Sequence, residues 1–155
     1  MTTATTEKPE VDLHAKSARV IASAVKWSAA AAVVPVPYVD LLALGSVQVK
    51  MVRDLARVYG LDVGDETLQG VISALLGTLV PASISTGLLG SSLKVIPGGG
   101  SLIGSLGMAA FGSASTFAIG KIFVMHFAGG GTLSNFSAEA VEDDLKKEFA
   151  AAKAK

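Results

Sequence analysis

From Thr67 to Ala138 the chain runs for 72 residues without one Asp or Glu, and Lys94 and Lys121 are the only Lys or Arg residues within it. The same stretch holds 14 of the 17 glycines. A segment so poor in charge and side-chain bulk must be shielded from water, either by the rest of the protein or by lipid. The flanking residues 1–66 and 139–155 carry all 13 acids and 11 of the 13 basic residues. Three parts result: a charged head, an apolar Gly-rich middle and a charged tail.

Helical periodicity runs through all three. Residues 1–10, polar and low in hydrophobic content, are expected to be disordered. No cationic segment followed by an apolar one marks a secretory signal, so the N-terminus is expected to stay in the cytosol. A first helix is predicted from about Val11 to Val34. Lys16, Arg19, Ser23 and Lys26 form its polar stripe, and Leu13, Val20, Ala24, Trp27, Ala31 and Val34 its apolar one. Pro35 and Pro37 end it. Asp40 is then placed to cap a second helix, which runs to Tyr59 and stops at Gly60. Leu41, Leu44, Val52, Leu55 and Tyr59 line its apolar face. Gln48 falls among them, and its amide would need a partner if buried.

Asp65 is placed to cap a third helix, in which Pro81 predicts a kink or break. Pro97–Gly100, PGGG, reads as a tight reversal. A fourth helix covers about Ser101 to Ala128, and Ser137 is placed to cap a short charged helix. No useful segment alternates with period two, so the fold class is all-α, a small helical bundle. Residues 11–128 form one helical domain, with head helices over 11–59 and a Gly-rich hairpin over 66–128. A linker and short helix occupy 129–155.

In the fourth helix Gly104, Gly112, Thr116 and Gly120 share one i+4 ridge, interrupted by Met108. Interior glycine costs about 0.8–1 kcal/mol relative to alanine in water. Small ridges let backbones approach closely, as in membrane helix pairs. Gly77 and Gly87 on the third helix are expected to help form the opposing face. About 27 residues span roughly 40 Å, enough for a hydrocarbon core of about 30 Å. Insertion as a transmembrane glycine-zipper hairpin is the expectation. The excess of Lys and Arg outside the middle would put both termini on the cytoplasmic side of a bacterial inner membrane. Lys16, Arg19 and Lys26 are candidate contacts to lipid headgroups. The same composition also suits a tightly packed soluble bundle, with a cytoplasmic location.

Chemistry is not apparent. Zero cysteines exclude disulfides and thiolate sites. His14 and His126 lack carboxylates at metal-ligand spacing, and no Lys-Ser/Thr pair follows Gly98–Gly100 as a phosphate-binding loop would require. The balance of 13 basic and 13 acidic residues offers no field for nucleic acid. The chain is read as a non-enzyme with no catalytic residue, metal or cofactor.

Two segments carry a resemblance. PVPYVDLLALGSVQVKMVRDLARVYGLD resembles Pro-hydrophobic-Pro-aromatic-x-Asp followed by Gln-x-x-Met-hydrophobic-Arg and Tyr-Gly. KVIPGGGSLIGSLGMAAFGSASTFAIG resembles Lys-hydrophobic-Ile-Pro-Gly-x-Gly-Ser followed by a small-residue helix. Together, over about Ala30 to Phe127, they resemble a bacterial domain-of-unknown-function family. It is related to YcjF-type membrane proteins and also occurs as a C-terminal tail of Era-like GTPases. The corresponding positions are Pro35, Pro37, Asp40, Gln48, Met51, Arg53, Tyr59, Gly60, Pro97, Gly98, Gly100 and Gly120.

The resemblance implies a helical, membrane-associated module without established catalysis. No GTPase motif is read in these 155 residues, so any nucleotide-driven action is expected to need a separately encoded GTPase. The expected function is a membrane-associated scaffold or interaction module that self-associates, with membrane lipid and its own copies as partners. An oligomeric pore lined by Ser105, Ser113, Thr116 and Lys121, and a soluble helical adaptor for a GTPase, are the alternatives.

Overall fold

The computed structural model describes residues 7–31, 39–85 and 100–153. They form five α-helices: α1 (Glu7–Ala31), α2 (Val39–Val58), α3 (Asp65–Ser85), α4 (Gly100–Ala128) and α5 (Glu142–Lys153). A 3₁₀ turn (Leu133–Asn135) lies between α4 and α5. No strand occurs among the described residues. The fold is an all-α bundle.

Two helix ends follow from glycine. At Gly60, with φ of 74°, the chain enters the left-handed region that a Cβ disfavours. There Leu61 N–H reaches back to Ala56 O at 2.8 Å and Gly60 N–H to Arg57 O at 3.0 Å, so the last turn of α2 is closed. Gly130, with φ of 86°, ends α4 in the same way, with Gly131 N–H donating to His126 O at 2.9 Å. The turn before α5 is started by Ser137, whose Oγ accepts Ala140 N–H at 3.3 Å.

Helix α4 is the axis of the bundle. Phe111, Ala114, Ala118, Ile119, Ile122, Phe123 and Phe127 are buried around it. Only Ala110, Lys121, Met125 and Ala128 mark an exposed edge among its described side chains. That environment explains the acid-free, Gly-rich composition, because a helix apolar nearly all round belongs in a core. Among the described residues, no helix is long and apolar enough to cross a membrane.

The expected partner of the small-residue ridge is corrected. A Cβ at Gly120 would lie 2.7 Å from Ile21 Cγ1 and 3.2 Å from Met51 Sδ. One at Gly112 would lie 3.5 Å from Leu44 Cδ1 and 3.6 Å from Ser28 O. The ridge from Gly112 to Gly120 is therefore occupied by α1 and α2, with α1 antiparallel to α4 and α2 parallel to it. Of the touching helix pairs, α1 and α4 share the most extensive contact and α3 and α4 the least. Gly77, and Gly70 with it, meets nothing within 4 Å and supports no close contact. Gly104 lies in the first half of α4. Gly87 and the PGGG residues Pro97 and Gly98 fall outside the described residues, as do Pro35 and Pro37. Gly100 is the first residue of α4.

Helix boundaries shift in smaller ways. Glu7 begins α1, ahead of the expected Val11. Val39 begins α2, so Asp40 lies inside the first turn and not before it. Helix α3 continues through Pro81 to Ser85 without a break. Its buried residues Leu68, Ile72, Leu75 and Leu79 follow helical spacing.

The C-terminal helix joins the same core. Leu145 and Phe149 are buried, and Phe149 meets Phe111 edge-on at 5.8 Å. Phe136 stacks on Phe123 at 4.5 Å and 12°, which turns the chain back along α4.

Glycine should therefore matter at one position and not another. Gly120→Leu must displace Ile21 and Met51, and is expected to cost about 1–3 kcal/mol by thermal or urea unfolding. Gly77→Ala removes a mid-helix glycine at an open site, and should raise stability by about 0.5–1 kcal/mol.

Candidate functional site

Where α1, α2 and α4 meet, four polar side chains are buried together: Ser28, Gln48, Ser115 and Thr116. Gln48 Nε2 donates to Ser115 Oγ at 3.2 Å and to Thr116 Oγ1 at 3.1 Å. Thr116 Oγ1 and Ser28 Oγ are 2.8 Å apart, and Ser115 Oγ donates to Gly112 O at 3.2 Å. Gln48 Oε1 is buried with no hydrogen-bond partner among the described residues. The cluster holds no base, acid or nucleophile–base pair, so its chemistry is that of a positioning network. With Thr116 buried in this network and Lys121 exposed, the two do not share the single water-filled face of the expected pore.

Residues carried by the two sequence motifs occupy structural positions. Met51 is buried under Gly120. Arg53 Nη1 donates to both Asp65 carboxylate oxygens at 2.9 Å, joining α2 to the start of α3. That carboxylate was expected to cap α3 and instead holds the guanidinium. Tyr59 Oη accepts from Ser17 Oγ at 3.4 Å, and its ring lies 6.1 Å from Phe127.

His126, isolated in sequence, acts as a latch. Its Nε2–H donates to Thr132 O at 2.8 Å and Asn135 Oδ1 at 3.0 Å. Asn135 Oδ1 also accepts Thr132 N–H at 2.8 Å, which fixes the amide orientation. A Cβ at Gly131 would lie 2.5 Å from that histidine nitrogen. The Gly129–Gly131 run signals only a helix end, so nothing in the sequence joined these residues. Among the described residues, no group of three or more His, Cys, Asp or Glu side chains is placed to hold a metal ion.

On the outer side of α1 and α2 lies an open groove of about 640 Å³. Val20, Ala24, Val47 and Met51 give it an apolar floor, and Arg19, Trp27, Lys50 and Asp54 its rim. Trp27 was expected on the buried stripe of α1, yet it is 67% exposed. The stripe that is buried consists of Ser17, Ile21, Ala24 and Ser28. The small size of Ser17, Ala24 and Ser28 lets α1 lie close on α4, with Ile21 seated on Gly120, so two serines outcompete an indole for the core. Of the three candidate headgroup contacts, Lys16 pairs with Asp12 at 2.7 Å, Arg19 borders the groove, and Lys26 is exposed.

The model of a family described as a domain of unknown function, DUF697, matches residues 6–153. The chain is also similar to magnetosome membrane protein 22 of Magnetospirillum gryphiswaldense, at 34% identity over 125 residues. That alignment covers 81% of this chain but 64% of the relative, so the chain spans less than two thirds of the relative's length. No solved structure matches.

The polar cluster yields a contrast between two substitutions. After Gln48→Leu, Ser115 keeps Gly112 O and Thr116 keeps Ser28, while the unpartnered oxygen is gone. Stability should then stay within about 1 kcal/mol of the parent. Gln48→Ala leaves a cavity as well, and should cost about 2–4 kcal/mol in chemical denaturation.

Proposed function

The chain belongs to the DUF697 family, and from that premise we propose that it is a non-enzymatic helical module attached to a bacterial membrane. There it serves as a scaffold that holds partners or further copies of itself at the cytoplasmic face of the inner membrane. The membrane protein among its relatives supports the location. The observation that carries the mode of attachment is Trp27, exposed on a helix that also displays Lys16, Arg19 and Lys26. An indole at a water-facing surface beside cations suits the headgroup boundary, where its ring is partly desolvated and the cations meet anionic lipid.

This reading replaces insertion of a Gly-rich hairpin by attachment at the surface. The Gly112–Gly120 face of α4 is already filled by Ile21, Ser28, Leu44 and Met51, so it has no side free for lipid or for a second copy. Self-association through that ridge would require α1 to leave. Copies that assemble with α1 in place would use outer surfaces.

Fractionation of the producing cell tests the attachment. The protein is expected to sediment with membranes and to be released by high salt or alkaline carbonate. Retention through both washes would contradict surface attachment. Lys16→Glu/Lys26→Glu should weaken co-sedimentation with vesicles containing phosphatidylglycerol by roughly tenfold or more, since each cation near such a surface contributes about 1 kcal/mol.

A further inference from the structure

Within this membrane-attached reading, we propose that the α1–α2 groove binds one anionic phospholipid, its headgroup at Arg19 and Lys50 and its chain against Trp27. The register along α4 grades the groove from charged to apolar. Ile21 and Met51 both lie over Gly120, whereas Ser28 and Leu44 both lie near Gly112. Arg19, Lys50 and Asp54 therefore cluster toward the Gly120 end, and Trp27 and Val47 toward the other. On α1 Trp27 lies eight positions after Arg19, which separates them by roughly 12 Å along the helix.

The charge at the polar end is positive. Asp54 is held by Lys50 at 2.6 Å and approached by Arg57 at 3.7 Å. Arg19 has no ion-pair partner among the described residues, so a guanidinium suited to a phosphate stands at the mouth of an apolar trough. A volume of about 640 Å³ falls in the range of small-molecule sites. An amphiphile with an anionic head and a hydrocarbon chain matches that gradient at both ends. Inorganic phosphate matches one end, and a neutral lipid the other.

The single tryptophan of the chain is a reporter built into the site. Full-length protein is titrated with short-chain phosphatidylglycerol below its micellar concentration, and in parallel with short-chain phosphatidylcholine and with sodium phosphate. Only phosphatidylglycerol should shift Trp27 emission to the blue with saturation. Arg19→Glu should weaken that binding roughly thirtyfold. Ser23→Phe, which narrows the trough from an exposed wall position, should abolish it while circular dichroism stays unchanged.

Equal responses to both lipids, a response to phosphate alone, or full binding by both variants would overturn the proposal. So would concentration-dependent dimerisation that itself shifts Trp27 in the absence of lipid, since a second copy would then be the occupant. Co-sedimentation with vesicles separates this idea from the broader reading. If the parent protein sediments with anionic vesicles but shows no saturable monomeric lipid binding, the groove site fails and surface attachment stands. If it does neither, both fail.

Discussion

The structure depends on the close approach of α1 to α4, with the Ile21 side chain seated on Gly120. Any side chain at position 120 would lift Ile21 and Met51 together and separate three helices. The cost of placing glycines inside a helix is offset by the contact they permit, because dispersion and burial both fall steeply with separation. From that contact follow the burial of Ser17, Ala24 and Ser28, the antiparallel course of α1, and the outward position of Trp27. Such a small-residue interface usually brings lipid to mind, yet here it forms inside the bundle.

Polar groups set the register of that interface. Ser28, Gln48, Ser115 and Thr116 come from three helices and hydrogen-bond to one another through the Gln48 amide nitrogen and the three hydroxyls, at 2.8–3.2 Å. A slide of α1 by one turn, about 5.4 Å, would leave Ser28 and Thr116 in the core without each other. Apolar contacts alone would tolerate such a slide more readily. The same register fixes which residues of α1 and α2 face each other across the outer groove, so the buried network and the surface site are parts of one arrangement.

Much of the fold was legible in the sequence. Apolar spacing located the helices, Gly60 and the Gly129–Gly131 run located two of their ends, and Gln48 stood out as an amide needing a partner. The i+4 ridge on α4 was visible too. Its partner was not, because small residues announce that something comes close without saying what. The third helix had glycines to offer and looked complementary, but its Gly70 and Gly77 face open space. The serines of α1 were hidden for a related reason. Residues such as Ser17 and Ser28 read as polar in any hydropathy pattern, and only the glycines opposite them make their burial favourable. Trp27 was misassigned by the converse logic, its bulk being what that interface excludes. The latch between His126 and the Thr132–Asn135 turn joins residues of two adjacent segments and carries no periodic signal at all.

The central claim is that α1 covers the glycine face of α4 in the working protein, and a cross-link reads it directly. The chain has no cysteine of its own. Ser28 Oγ and Thr116 Oγ1 are 2.8 Å apart, so cysteines at the two positions lie within reach of a disulfide. Ser28→Cys/Thr116→Cys protein, oxidised both in solution and on native membranes, should close an intramolecular disulfide in both settings. Failure to close it on membranes, with Thr116→Cys instead linking one copy to another, would show that α1 has left and that α4 pairs with other chains.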